Sequence, residues 1–232
     1  KIAKYFNYNT CSFNKMDDTL MMLLLARKRI VHKAVNKLEV FEKIIKKRYQ
    51  EKGNLKYSLV YVPEGIEPNF LEEDDDSLSQ DDDSEHLIDL YTKSILQLDE
   101  SITVRKFVSG QKDRETILEE FASGRLQVLT SMKCLDEGVD VPRSELAIFC
   151  SSTGNPRQFI QRRGRVLRIH PDKKIAELHD LVVVPEVNPN SGSYRMERAL
   201  LKNELIRVNN FALLSENPSF SEIELRNVME HY

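Results

Sequence analysis

The sequence lacks any long hydrophobic run: no apolar stretch approaches the roughly 20 residues needed to span a bilayer. No charged, apolar and small-residue succession of a secretory signal opens the chain. Cysteine is scarce, with Cys11, Cys134 and Cys150 forming no CxxC pair. That spacing offers no zinc cluster and no disulfide framework, and reads as reduced thiols in a core or on a surface. Methionine is missing from position 1, which is Lys. The chain therefore reads as a fragment, and we expect a cytoplasmic or nucleoid-associated protein, nuclear in a eukaryote, with no membrane partner.

What is present is charge and enough apolar content for a core. Of 232 residues, 41% are hydrophobic and 31% charged. The length allows one medium domain with helical additions. The net charge of −3 conceals an asymmetry: residues 72–85 (EEDDDSLSQDDDSE) carry nine acids and no base, so without them the net charge is +6. A like-charged run with little apolar content is expected to be disordered. The mildly basic remainder suits a surface that meets nucleic acid, without proving one.

Apolar periodicity predicts helix from Asp18 to about Glu51, with Asp17 and Asp18 favouring its start and Gly53 ending it. Its other face carries Arg27, Lys28, Arg29, Lys33, Lys37, Lys43, Lys46, Lys47 and Arg48. That is either a solvated basic face or a nucleic-acid contact. Strands are predicted over Tyr57–Val62, Ile102–Phe107, Leu126–Thr130, Leu146–Ser151 and Leu178–Val184. Helices are predicted between them over His86–Leu98, Gln111–Ala122 and Pro156–Arg168. This alternation implies an α/β, doubly wound parallel sheet with helices on both faces. Two more helices, about Tyr194–Leu214 and Ser221–His231, close the chain. The organisation is an N-terminal linker and helix (1–55), the sheet domain (56–185) and a C-terminal helical extension (186–232).

Two polar segments follow predicted strands, at the edge where open α/β sheets bind ligands. In the second, Gln161, Arg162, Arg163, Gly164, Arg165 and Arg168 crowd together. Arg162 and Arg165, and Arg165 and Arg168, are three apart and so share roughly one helix face. Such arginines repel unless an anion lies between them, and guanidinium forks match phosphate oxygens. An arginine reaching a γ-phosphate stabilises transferring charge. Gly164 costs about 1 kcal/mol relative to Ala inside a helix, which suggests a turn or a tight backbone approach. In the first segment, Asp136, Glu137, Gly138 and Asp140 form either a plain polar loop or a ribose-accepting site, with Asp136 and Glu137 able to orient a neighbouring arginine.

Together these segments resemble the second RecA-like domain of superfamily 2 helicases over about residues 56–185. YSLVYV (57–62) resembles the strand of motif IV, and VSGQKDRETILEEFASGRLQVLT (108–130) the lead into motif V. TSMKCLDEGVDVP (130–142) is similar to motif V and QFIQRRGRVLR (158–168) to motif VI. Gln161, where DEAD-box proteins usually have His, points toward the group around the XPB repair helicase and the type I and III restriction translocases. Asn209–Phe211 in the arginine-bearing tail also resembles the segment beyond the second domain in that group.

The resemblance implies roles for individual residues. Arg165 and Arg168 match arginines that touch ATP phosphates. Gln161 and Arg162 match positions that couple the nucleotide to the facing domain, and Gly138 and Asp140 residues near the ribose and cleft. Ser109, Gly110, Thr130 and Ser131 match contacts to a nucleic-acid backbone, although relatives often place a hydroxyl where Met132 stands. The chain contains neither GxxxxGK[ST] nor a DExH or DExD box. The resemblance thus implies ATP and Mg2+ as cofactors, with the metal's ligands in an N-terminal RecA-like partner domain and none here. It implies nucleic acid as partner, DNA by the motif VI leaning. Alternatives are an RNA helicase of the same superfamily or a non-catalytic helicase-like binding module.

Overall fold

In a computed structural model, the residues described are 2–7, 9–10, 12–13, 17–34, 36–63, 80–108, 110–132, 141, 143–150, 156–184 and 188–231. Two compact units are present, residues 29–182 and residues 1–28 with 183–232.

The larger unit is built on five parallel strands in the order β4-β5-β3-β6-β7. These are β3 (Ser58–Tyr61), β4 (Val104–Phe107), β5 (Val128–Ser131), β6 (Leu146–Phe149) and β7 (Glu177–Asp180). Every residue of β3, β5 and β6 is buried. Strands covered on both faces have no need of a polar alternation, which explains the plain apolar runs in the sequence.

Alternation along β3 sorts the core. Val60 and Val62 join Phe41 and Ile45 of α2 (Asn36–Lys52) and Ile88, Tyr91 and Ile95 of α3 (Gln80–Leu96). Leu59 and Tyr61 join Ile117 and Phe121 of α4 (Arg114–Ala122) and Val166 of α5 (Pro156–Val166). The chain runs from β3 outward to the edge strand β4, then returns through β5 and crosses β3 to β6 and β7. Reversing direction while keeping one crossover hand places α3 on one face and α4 and α5 on the other. The crevices beside the C-terminal end of β3 are therefore the switch points of the sheet.

Several boundaries differ from the sequence prediction. The single helix expected over Asp18–Glu51 is two, α1 (Asp18–His32) and α2. No Gly or Pro marks the break, and the apolar period runs through it. Asp17 starts α1 as expected, its carboxylate accepting from the Leu20 N–H at 2.7 Å. α2 packs into the sheet core through Phe41 and Ile45 and so belongs with the sheet unit. α3 begins at Gln80, six residues before His86, inside the acidic run. The rest of that run, 72–79, lies outside the described residues.

α4 starts at Arg114 because the preceding turn is organised otherwise. The Gln111 side chain accepts from the Val108 N–H at 3.0 Å and donates to the Lys106 carbonyl at 3.1 Å. The smaller unit has its own packing. Strands β1 (Phe6–Asn7) and β2 (Ser12–Phe13) form a hairpin with Phe6 edge-on to Phe13. Helices α6 (Tyr194–Ala212) and α7 (Pro218–His231) come after the sheet unit in the chain. Leu20, Met196, Leu201 and Leu205 are buried. Arg27 pairs with Glu197 at 2.9 Å.

Gly124 closes α4 at φ +73°, and a Cβ there would lie 2.6 Å from the Tyr57 hydroxyl oxygen. Tyr57 cannot yield easily, since its ring is buried edge-on against Phe121 with the Arg143 guanidinium over its face. Gly124→Ala is expected to cost about 1–3 kcal/mol from the left-handed backbone, read as a lower urea midpoint with unchanged slope. An unchanged midpoint would show that the turn relaxes.

Candidate functional site

The last residues of the five strands form one level across the sheet. Register aligns Phe107, Ser131, Tyr61, Phe149 and Asp180 in that spatial order. Because they share a level, all five project to one face, the side of α4 and α5. The row holds three aromatic rings, a hydroxyl and a carboxylate, and arginines cover it.

Tyr61 and Phe149 stack with centroids 4.8 Å apart and planes within 13°. Arg162 of α5 lies over Tyr61 at 5.3 Å, and Arg163 over Phe149 at 5.7 Å. Arg114 of α4 covers Phe107 at 4.7 Å. Ring faces are electronegative, so each guanidinium gains a cation–π attraction, worth more when desolvated. Arg163 also donates to Asp180 Oδ2 at 2.6 Å, with both side chains buried (4% and 9% exposed). A buried carboxylate on an edge strand thus faces a buried guanidinium seventeen residues earlier.

These contacts set how α5 is turned. Residues of an α-helix are about 100° apart around the axis. With Arg162, Arg163 and Val166 facing the sheet, Gln161 and Gly164 must face away and Arg165 must lie on the flank. The exposures agree: Arg162, Arg163 and Val166 are buried, Gln161 and Gly164 exposed, and Arg165 intermediate. Arg168 lies beyond the helix end and is exposed. The arginines expected on one face are therefore divided. Arg162 is turned into the sheet, while Arg165 and Arg168 can be reached from solvent. An anionic phosphate can reach these last two from solvent. At Gly164 a Cβ would meet nothing within 4 Å among the described residues, so the tight approach suggested by that glycine is not made there.

The hydroxyls expected to grip a nucleic-acid backbone are placed otherwise. Thr130 and Ser131 are strand residues of β5, fully buried, and alternation points them to opposite faces. The Thr130 hydroxyl is 3.1 Å from that of Thr92 and 3.4 Å from the Arg105 carbonyl, so it joins α3 to the sheet. The Ser131 hydroxyl has no hydrogen-bond partner among the described residues. Neither side chain reaches the surface. Gly110 is exposed at φ +78°, a turn geometry that favours glycine. Ser109, Gly138 and Asp140 lie outside the described residues, as do Asp136 and Glu137.

The basic face assigned to the N-terminal helices also needs correction. Lys37 and Arg48 are buried. Arg48 bridges Glu145 at 3.3 Å and Glu177 at 3.2 Å, fastening α2 beneath the opposite edge of the sheet. The Glu177 carboxyl is held below the usual carboxylate range, chiefly by its 2.7 Å contact with His179 and then by nearby cations, against burial. Lys43 and Lys47 pair with Glu39 and Glu51. Cys150 is a fully buried free thiol whose ionisation burial pushes far up, so it is chemically quiet.

Arg163 and Asp180 are the site residues for which the sequence reading had no role. The one sequence signal was an acid just ahead of the apolar run LVVV (181–184).

Residues 79–170 match the family model of the helicase conserved C-terminal domain. A DNA 3'-5' translocase XPB2 of Sulfurisphaera tokodaii is 37% identical over 97 residues, covering 42% of this chain and 20% of the relative. A Dicer-like protein 2 of Neurospora crassa is 41% identical over 59 residues, covering 25% of this chain and 4% of the relative. The chain thus spans a fifth or less of these relatives. Among solved structures, the Hef helicase domain of Pyrococcus furiosus aligns at 24% identity and TM-score 0.39, over 62% of this chain and 25% of that one.

Proposed function

We propose that this chain, which carries the second RecA-like domain of a superfamily 2 helicase, is the C-terminal motor half of an ATP-dependent DNA helicase or translocase. The observation that carries the reading is the posture of α5. Arg162 and Arg163 are anchored on the sheet, which leaves Arg165 and Arg168 within reach of solvent.

In this reading ATP sits between this domain and an N-terminal RecA-like domain. That domain supplies the phosphate loop and the carboxylates that hold Mg2+. From this chain, Arg165 and Arg168 would meet the phosphates, and Gln161, exposed on α5, would meet the facing domain. Gly138 and Asp140 would lie toward the ribose. Fixed cationic donors aimed at transferring phosphoryl oxygens lower the barrier without reorganising during the reaction. Closure on ATP and reopening after hydrolysis would move two backbone grips along a strand. On this side Gly110 and Ser109 remain the candidates for such a grip, through backbone N–H groups. Phosphate contacts carry little sequence information, so little sequence preference is expected.

The test is ATP hydrolysis by the full-length protein, titrated separately with double-stranded DNA, single-stranded DNA and RNA. Stimulation by DNA is the expected result. Stimulation by RNA alone would make it an RNA helicase of the same superfamily. No hydrolysis with any of the three, by folded protein, would leave a non-catalytic binding module.

A further inference from the structure

We infer that Arg163 is a positioning residue for the phosphate-facing arginines, acting through Asp180 and the Tyr61–Phe149 stack as a rotational lock on α5. This rests on the ATP-dependent motor proposed above. Apolar contact alone fixes a helix's azimuth poorly, because neighbouring apolar rows can exchange places. Here two successive residues, Arg162 and Arg163, sit over two adjacent rings from β3 and β6. The rings belong to one register pair and stack with nearly parallel planes, so the two seats are held fixed relative to one another. Arg163 is further bonded to Asp180, the next residue of the same row, on β7.

Rotating α5 by one residue, about 100°, would unseat both guanidinium groups and strip the buried ion pair. Thus the lock defines a single azimuth, and that azimuth puts Arg165 on the flank. A guanidinium misaimed by about an ångström can lose a hundredfold in rate. Arg165 acts on charge that develops during transfer, so the loss should fall on kcat.

The experiment compares the wild-type full-length protein with Arg163→Met/Asp180→Leu and with Arg163→Lys, measuring kcat and KM for ATP at saturating nucleic acid. The double variant replaces the buried ion pair with apolar side chains, which generally preserve folding, but it abolishes the directional seat. Its thermal midpoint should stay within about 5 °C of wild type. Its kcat should fall about tenfold or more with KM within about twofold. Arg163→Lys keeps the charge beside Asp180 and loses the planar fork over Phe149. It should lose kcat severalfold, again at constant KM, and it carries the test should the double variant not fold. A kcat within about twofold of wild type in the folded variant would mean that the pair only holds the fold, and would overturn the inference alone. No hydrolysis by wild type with DNA or RNA would overturn the motor reading, and the inference with it.

Discussion

Arg165→Ala in the full-length protein is expected to lower nucleic-acid-stimulated ATP hydrolysis by about a thousandfold or more, the effect of removing an arginine that stabilises a transferring phosphoryl group. The argument is one of placement. Of the four arginines in the segment, two are buried against the sheet and cannot leave without exposing rings and a carboxylate. Arg165 is on the flank of the same rigid helix, partly exposed. Rigid support means that little must be reorganised when ATP arrives. Arg165 is partly exposed, so its removal should cost less stability than the loss of a buried partner. Arg165→Lys should recover little, because a point charge does not replace a bidentate fork. Steady-state hydrolysis with parallel thermal unfolding makes the check. A loss under about tenfold in folded protein would remove Arg165 from the site and leave Arg168 as the phosphate contact.

Asp180→Ala is expected to show the largest loss of stability, about 3–5 kcal/mol, because it leaves the Arg163 guanidinium buried without its carboxylate. Burial decides the sign and size. An exposed pair would contribute about 1 kcal/mol at most. Here the side chains are almost wholly covered and the separation is 2.6 Å. Removing both charges should be far milder than removing one. Arg163→Met/Asp180→Leu should therefore recover most of the stability lost in Asp180→Ala, as an apolar pair needs no charge partner. Denaturant unfolding of the 232-residue chain measures both. A cost below about 1 kcal/mol for Asp180→Ala would show that water reaches Arg163 and that the pair does not brace α5.

The two experiments separate the roles of Arg163 and Arg165. Arg165→Ala should lower activity with the fold intact. Asp180→Ala should lower stability, and activity as well, because α5 loses one of its seats. The ordering comes from the helix repeat: two residues along α5 carry a side chain from the buried face to the flank.

Much of the sheet was legible in the sequence because its strands are covered on both sides. β3, β5 and β6 read as short continuous apolar runs, and the helices between them keep their period. The alternation of the two, with the single crossover hand, leaves few ways to wind the chain. Helix limits were less legible. The break between α1 and α2 carries no Gly or Pro, and the start of α3 falls among acids that a compositional reading assigns to disorder. Composition does not say which end of a helix those charges will occupy.

By itself the sequence determined the doubly wound parallel sheet, the family resemblance carried by QRRGRVLR, and the crowding of arginines in the helix after β6. Those rest on local pattern, and local pattern survives in one dimension. Tertiary structure alone decided which arginines are anchors and which are reachable. A helix shows its period in the sequence but not its azimuth, and the azimuth is set by partners from other strands. Tyr61, Phe149 and Asp180 stand 88 and 31 residues apart in the chain, yet parallel register brings them to one level. The same register buried Thr130 and Ser131, whose hydroxyls look surface-bound as letters, because a strand end in the middle of a sheet has neighbours on every side.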